Sequence, residues 1–211
     1  MSVYVMILNW NGLRYTPSCI NSIQKQDYTQ APVKIFVGDQ GSMDGSRETL
    51  QSISTTTGWF DLVNFGSNLG FSQGYNRLIE FVKSNYVDPQ YWFFLNNDTK
   101  LFEDAISALL ECLKTDYNYA IAGLDAYEYN GGTTKNDRTG KLSGFGGWIR
   151  RDDSKLNIDG FGKYWTDGFS GYKPGMEKQP WFEDDYESGG MMMVKNLVLN
   201  QVWAKHGRWF D

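Results

Sequence analysis

The sequence predicts an α/β domain built on a mostly parallel sheet, and three observations carry that prediction. The run Tyr91-Trp92-Phe93-Phe94-Leu95 is apolar without alternation, as a strand buried on both faces must be. From Val3 to Thr115 strand-like and helix-like patterns succeed one another, the signature of βαβ units. The chain has 211 residues, 41% of them hydrophobic, which suffices for one well-filled core and fits one domain better than two.

Taken in order, Val3 to Leu8 reads as a first strand ending at Asn9-Trp10-Asn11-Gly12. Thr16 to Gln26 carries Cys19, Ile20 and Ile23 at helical spacing, and Val33 to Val37 forms a second strand ending at Gly38-Asp39. The turn-rich segment Gly41 to Ser46 leads into a helix starting near Arg47, with Asp44 or Ser46 able to cap it. A third helix is expected from Gly74 to Ser84, followed by the strand at Tyr91 and a helix over Phe102 to Thr115, whose Ala105, Ile106, Leu109, Leu110 and Leu113 share one face. Ala120 to Leu124 reads as a short strand. A stretch rich in Gly, Tyr and Trp then runs to about residue 180, too long for an ordinary connection and expected as functional loops or hairpins. Met191 to Val194 is a strand, and a helix is expected near Leu197 to Lys205.

Composition excludes several function classes. A net charge of −5 without clusters of Lys and Arg argues against nucleic acid as a partner. Cys19 and Cys112 are too few for a disulfide framework or a zinc site and read as buried thiols of a reducing compartment. No stretch approaches a membrane span, and Met1 to Leu8 is too short for a signal peptide, so the expected location is cytoplasmic and soluble. Aromatic residues make up 16% of the chain, more than a core of this size needs, and flat rings with polar tips suit sugar surfaces. Trp148, Trp165 and Trp181 are candidates for such walls or for core packing.

The buried strand at Tyr91 stops at Asn96-Asn97-Asp98-Thr99, placing a carboxylate and two amides at a sheet's carboxyl edge, where open α/β sheets bind ligands. One carboxylate beside amide oxygens can hold a divalent cation and leave positions for water and for diphosphate oxygens. Asn68, Gly70, Gly74 and Asn76 form a loop entering a helix, where small residues let backbone N–H groups approach phosphate or ribose. The spacing is not a dinucleotide fingerprint, since the first strand leads into Asn9 to Gly12 rather than a Gly-rich turn. Asp39 can either cap its turn or accept the N3 hydrogen of uracil or thymine, a proton cytosine lacks.

The ordered set Asn9-Trp10-Asn11-Gly12, Asp39 to Ser46, Asn68-Leu69-Gly70-Phe71 with Gly74 and Asn76, and Asn96-Asn97-Asp98 resembles family 2 glycosyltransferases of GT-A fold, and within them a rhamnosyltransferase-like branch. Each motif alone is weak; four in order over the chain are strong. The resemblance implies a Rossmann-like, mostly parallel twisted sheet flanked by helices, with residues 1–100 as a nucleotide-binding half and 101–211 as an acceptor-binding half. It implies that Asn9, Trp10, Asn11 and Asp39 flank the base, that Asn68, Gly70, Gly74 and Asn76 meet phosphate or ribose, and that Asn96 or Asn97 reaches the ribose. Asp98 becomes the ligand of Mn²⁺ or Mg²⁺, with an amide where the family usually carries the first carboxylate of Asp-x-Asp. The expected partners are a UDP- or dTDP-sugar and a glycan acceptor.

An inverting transfer also needs a general base. Glu183, Asp184 and Asp185 are the dense acidic cluster after the metal motif, and mutual repulsion can raise one of them toward a useful range. Many relatives instead carry the base after a Gly-x-Phe-Asp segment that Gly207 to Asp211 resembles, which would put it beyond residue 211 and make this chain the N-terminal domain of a longer protein. The other function class is a nucleotide-sugar binding module without transferase activity. A sugar nucleotidyltransferase ranks lower, because Asn9 to Gly12 lacks a basic Gly-rich loop. His206, the single histidine, falls at a helix end and is expected to be solvated or capping rather than a ligand.

Overall fold

A computed structural model describes residues 1–117, 119–124 and 190–210, together with strand backbone at 126–129, 138–144, 151–152 and 155–156. The described elements are β1 (Val3–Asn9), α1 (Thr16–Gln24), β2 (Val33–Asp39), α2 (Ser46–Thr57), β3 (Phe60–Asn64), α3 (Gly70–Asn85), β4 (Tyr91–Asn96), α4 (Ala105–Thr115), β5 (Ile121–Gly123), β6 (Ala126–Tyr129), β7 (Arg138–Gly144), β8 (Arg151–Asp152), β9 (Lys155–Leu156), β10 (Met191–Lys195) and α5 (Asn196–His206). The chain divides into two compact units, residues 1–122 with 189–211 and residues 123–188.

The first unit is organised on a six-stranded sheet of order β3-β2-β1-β4-β10-β5. β1 pairs in parallel with β2 and β4, β2 pairs in parallel with β3, and β10 runs antiparallel to β4. The apolar runs become the central strands because only there are both faces covered. Register aligns Met6 with Phe36 and Phe94, and these fully buried side chains pack with Leu78, Ile79 and Val82 of α3. The same register ends the strands in polar groups, placing Asn9 beside Asp39, Asp39 beside Asn64 and Leu8 beside Asn96. Four parallel strands thus present their carboxyl ends at one edge, the place at which such sheets bind ligands.

Three local differences from the sequence reading have physical causes. α3 begins at Gly70 rather than Gly74, because Gly70 takes φ 76° and Asn68 Oδ1 accepts its N–H at 2.8 Å, turning the chain directly into the helix. β3 is an additional strand at the sheet edge, half-buried apart from Phe60 and Asn64, with no continuous apolar run to mark it. α2 starts after Gly45 in the left-handed region, while Asp44 Oδ1 accepts the Ser46 N–H at 3.0 Å, so the Asp stands just ahead of the helix.

In the second unit, β6 pairs with β7 and β8 with β9, each antiparallel, as hairpins expected of that stretch would. Trp148, Trp165, Trp181, Glu183, Asp184 and Asp185 lie outside the described residues, as does Asp211. No helix among the described residues is long and apolar enough to cross a membrane.

Candidate functional site

The carboxyl edge is stitched together by one buried polar network. Asp39 and Asn9 are each 0% exposed, a costly position for polar groups unless all are paired. Asp39 Oδ1 accepts from Asn9 Nδ2 and Ser42 Oγ, both at 2.7 Å, and Oδ2 accepts the N–H groups of Gly41 and Ser42, both at 3.1 Å. The carboxylate therefore has two donors on each oxygen, its full acceptor capacity. Asn9 Nδ2 also reaches Ser42 Oγ and Ser46 Oγ at 3.0 Å, and its Oδ1 accepts from Thr16 Oγ at 2.6 Å. Asn97 Nδ2 donates to the same Thr16 oxygen at 2.9 Å. A relay thus runs Asn97, Thr16, Asn9, Asp39, joining the ends of β4, β1 and β2 through the start of α1.

Gly12 stands inside this relay. A Cβ there would lie 2.4 Å from Asn9 Oδ1, Asn97 Nδ2 and Thr16 Oγ, so only glycine admits the network. Asn11 takes φ 51°, a conformation Asn tolerates better than most residues. Its N–H donates to Ser42 Oγ at 2.9 Å and its Oδ1 accepts the Met43 N–H at 2.9 Å, pinning the loop after β1 to the loop after β2. Asp44 completes that bracket by accepting the Leu13 N–H at 2.9 Å and the Ser46 hydroxyl at 2.5 Å. Burial pushes its carboxyl up, but the Ser46 and Leu13 donors outweigh this and hold it below the ordinary value of 3.8.

Trp10, 54% exposed, and Asn11 therefore stand on the open side of a rigid floor. Asn68 and Gly70 are exposed too, with nothing within 4 Å of a Cβ built at Gly70. Gly74 serves the packing instead: a Cβ would lie 2.8 Å from Leu8 Cδ1 and 2.9 Å from Gln40 Oε1, which itself accepts the Leu69 N–H at 3.0 Å. Asn76, one of the expected nucleotide contacts, is not brought into the relay; its amide holds the backbone of Trp209 and Phe210.

Asn96 and Asp98 are exposed at the end of β4, and Asn97 is half-buried. The backbone of Asn96 is held on both sides, its N–H donating to Gly190 O at 2.8 Å and its carbonyl accepting the Cys19 thiol at 3.6 Å. Burial pushes that thiol well above its ordinary range, and the nearby Asp98 charge adds to the effect. Cys19 is thus a buried thiol, as expected, whereas Cys112 on α4, expected to be buried too, is half-buried. His206 is exposed and ends α5 next to the left-handed Gly207, the helix-end position expected of it.

The donor set suits a hard cation, but does not by itself enclose one. Among the described residues no group of three or more His, Cys, Asp or Glu side chains converges. Asp98 is an exposed carboxylate flanked in sequence by the amides of Asn96 and Asn97, oxygen ligands of the kind around which substrate phosphates and water complete a hard cation's shell.

The mixed sheet, four parallel strands with a polar carboxyl edge and antiparallel β10 beside β4, is the GT-A fold of the solved glycosyltransferases it resembles. The chain belongs to glycosyl transferase family 2, whose family model matches residues 4–180. TarS residues 1–349 from S. aureus, solved in complex with UDP, superposes with TM-score 0.52 at 15% identity over 64% of this chain and 38% of that one. The mannosyltransferase PcManGT from Pyrobaculum calidifontis, solved with GDP-Man and Mn²⁺, gives TM-score 0.52 at 16% identity over 59% of this chain and 35% of that one. At such identities the likeness is one of fold, and this chain spans little more than a third of either solved chain. No curated protein matches the chain.

Proposed function

We propose that this chain is the donor-binding and catalytic domain of an inverting, metal-dependent glycosyltransferase that moves a hexose of rhamnose, glucose or galactose type from a UDP- or dTDP-sugar to a glycan hydroxyl in the cytoplasm. The observation that carries the proposal is the buried relay from Asn97 to Asp39, which fixes three strand ends around an exposed carboxylate, Asp98. A rigid polar floor with one open carboxylate suits a ligand that brings its own negative charges and a cation. Residues 1–100 form the nucleotide half in this reading, and residues 101–211 contribute the acceptor half.

The side chains divide by exposure. Trp10, Asn11, Asn68 and Gly70 face the nucleotide, and Asn96, Asn97 and Asp98 hold Mn²⁺ or Mg²⁺ and the ribose. Asn9, Asp39 and Gly74 support them from beneath: with every acceptor position of Asp39 filled from within, it sets the shape of the base site through Asn9 and the 41–46 loop. The cation, when bound, neutralises charge growing on the departing nucleoside diphosphate. The chain's own contribution is orientation: with the Leu69 and Gly70 N–H groups engaged by Gln40 and Asn68, the N–H groups of the α3 first turn beyond Gly70 and the edge amides hold the diphosphate so that the anomeric carbon is open on its far side. The acceptor proton goes to a carboxylate, for which Glu183, Asp184 and Asp185, preceding β10 in the chain, are the proposed candidates.

Calorimetric titration with UDP, in Mn²⁺ and in EDTA, tests this reading. Asp98→Ala is expected to remove the Mn²⁺-dependent gain in affinity and leave metal-free binding within about twofold. An unchanged Mn²⁺ dependence in the variant would remove Asp98 from the site.

A further inference from the structure

Asn76 sits in the middle of α3, where a short amide side chain is a poor helix former unless it has other work. Its work is visible. Nδ2 donates to the Phe210 carbonyl at 2.9 Å, and Oδ1 accepts the N–H groups of Phe210 at 3.0 Å and Trp209 at 3.1 Å. Donor and acceptor of one amide thus pair with the carbonyl and N–H of one residue, as two residues of an antiparallel ladder do. Both lone pairs of Oδ1 are filled. A carboxylate could not do this, since it would set an oxygen against the Phe210 carbonyl.

The captured segment is held on its other sides as well. α5 ends at Gly207, whose φ of 67° and N–H bond to Trp203 O at 2.7 Å turn the chain back. Trp209 then stacks on Trp203 with ring centroids 4.2 Å apart. The Phe210 ring enters a nest of Phe94, Tyr75 and Phe71 at centroid distances of 5.0, 5.6 and 5.9 Å. This nest adjoins the site from two directions. Phe71 follows Gly70 of the donor loop, and the Tyr75 hydroxyl donates to Leu95 O at 3.3 Å, one residue before Asn96.

We propose that Asn76 is a positioning residue and not a nucleotide contact: it clamps Trp209 and Phe210 between α3 and β4, making this late segment a fixed wall of the carboxyl edge. The catalytic part of the inference rests on the transferase reading above; the clamp itself does not. Misplacing such a wall by an ångström can cost about a hundredfold in rate without altering how the nucleotide binds.

The test compares the wild-type chain with Asn76→Ala, which favours the helix but deletes all three bonds, and Asn76→Asp, which keeps the volume and the acceptor but loses the donor. Three quantities are read: amide hydrogen exchange at residues 209 and 210, the affinity for UDP with Mn²⁺, and the rate of UDP release from UDP-glucose at saturating donor. For Asn76→Ala the expected result is exchange accelerated tenfold or more, UDP affinity within twofold of wild type, and release slowed tenfold or more. Asn76→Asp is expected to lie between the two on exchange and rate, and it carries the test alone should the alanine variant not fold. A tenfold loss of UDP affinity with exchange unchanged would overturn the proposal, as would unchanged release with protection lost. If the wild-type chain binds neither UDP nor dTDP in the presence of Mn²⁺, the transferase reading fails with the catalytic part, and exchange at 209 and 210 alone decides the clamp.

Discussion

Replacing Asp39 by Asn changes one atom, yet the structure predicts a large loss of stability before any ligand is added. The wild-type carboxylate is 0% exposed and accepts from four donors, at 2.7, 2.7, 3.1 and 3.1 Å. An amide offers one acceptor oxygen, so either the Gly41 and Ser42 N–H groups or the Asn9 and Ser42 side chains must face an NH₂. The Ser42 hydroxyl can rotate to adapt, but it already receives the Asn11 N–H at 2.9 Å. At least one hydrogen bond to a charged acceptor is lost and one buried donor is left facing another. With the lost bond at about 1.5–3 kcal/mol and the stranded donor at about 1–3 kcal/mol, the lower part of each range already gives an expected cost of about 3 kcal/mol. At a urea slope of about 2 kcal/mol per M, the unfolding midpoint falls by about 1.5 M. Asp39→Ala, which removes the acceptor of all four donors and leaves only Asn9 Nδ2 with other partners, Ser42 and Ser46, is expected to cost at least as much. The assay is urea unfolding of the ligand-free protein followed by far-UV circular dichroism, with UDP binding measured on the folded fraction. An unfolding free energy for Asp39→Asn within about 0.5 kcal/mol of wild type, the range of an ordinary surface change, would refute the reasoning and make Asp39 a base contact with no structural task.

Two further predictions test the floor of the site. Gly12→Ala drives a methyl to 2.4 Å from three polar atoms of the relay, and overpacking is expected to cost about 2 kcal/mol with loss of Mn²⁺-UDP affinity; a neutral variant in urea unfolding would contradict the relay's geometry. Asp44 is held below its ordinary value of 3.8 in the folded chain, so its contribution is fully present above the unfolded value and disappears as pH falls through the lower folded one. The stability difference between wild type and Asp44→Ala should therefore be constant from pH 7 to about pH 5 and shrink toward pH 3. A difference that grows on acidification would show that the Ser46 and Leu13 donors do not favour the charged form.

What could be read in the sequence was what local pattern encodes. The uninterrupted run at Tyr91 to Leu95 became β4 at the middle of the sheet, and the polar residues closing β1, β2 and β4 lie together at one edge because parallel register leaves no other arrangement. β3 escaped because an edge strand with one wet side, broken by Asp61 and Asn64, has no apolar run to mark it. Gly70 reads as loop chemistry and in fact opens α3, since a left-handed glycine can turn a chain into a helix as readily as out of one. At Asp39 and Asn76 the sequence showed which residues are polar but not where they turn. The Asp39 carboxylate, legible as a turn cap or a base contact, collects donors both from its own loop and from the end of β1, 30 residues away. The Asn76 amide meets a carbonyl 134 positions away, a distance over which no spacing rule operates.

On the proposed function, the carboxyl edge built by the relay from Asn97 to Asp39 binds a uridine or thymidine diphosphate together with a divalent cation. Thermal unfolding with UDP, dTDP, GDP and ADP, each in Mn²⁺ and in EDTA, tests it most directly, because a ligand at a hundred times its dissociation constant adds ~2.7 kcal/mol of stability. Tm is expected to rise with UDP or dTDP in Mn²⁺, and not with ADP. An unchanged Tm with every nucleotide, or an equal rise with ADP, would contradict it.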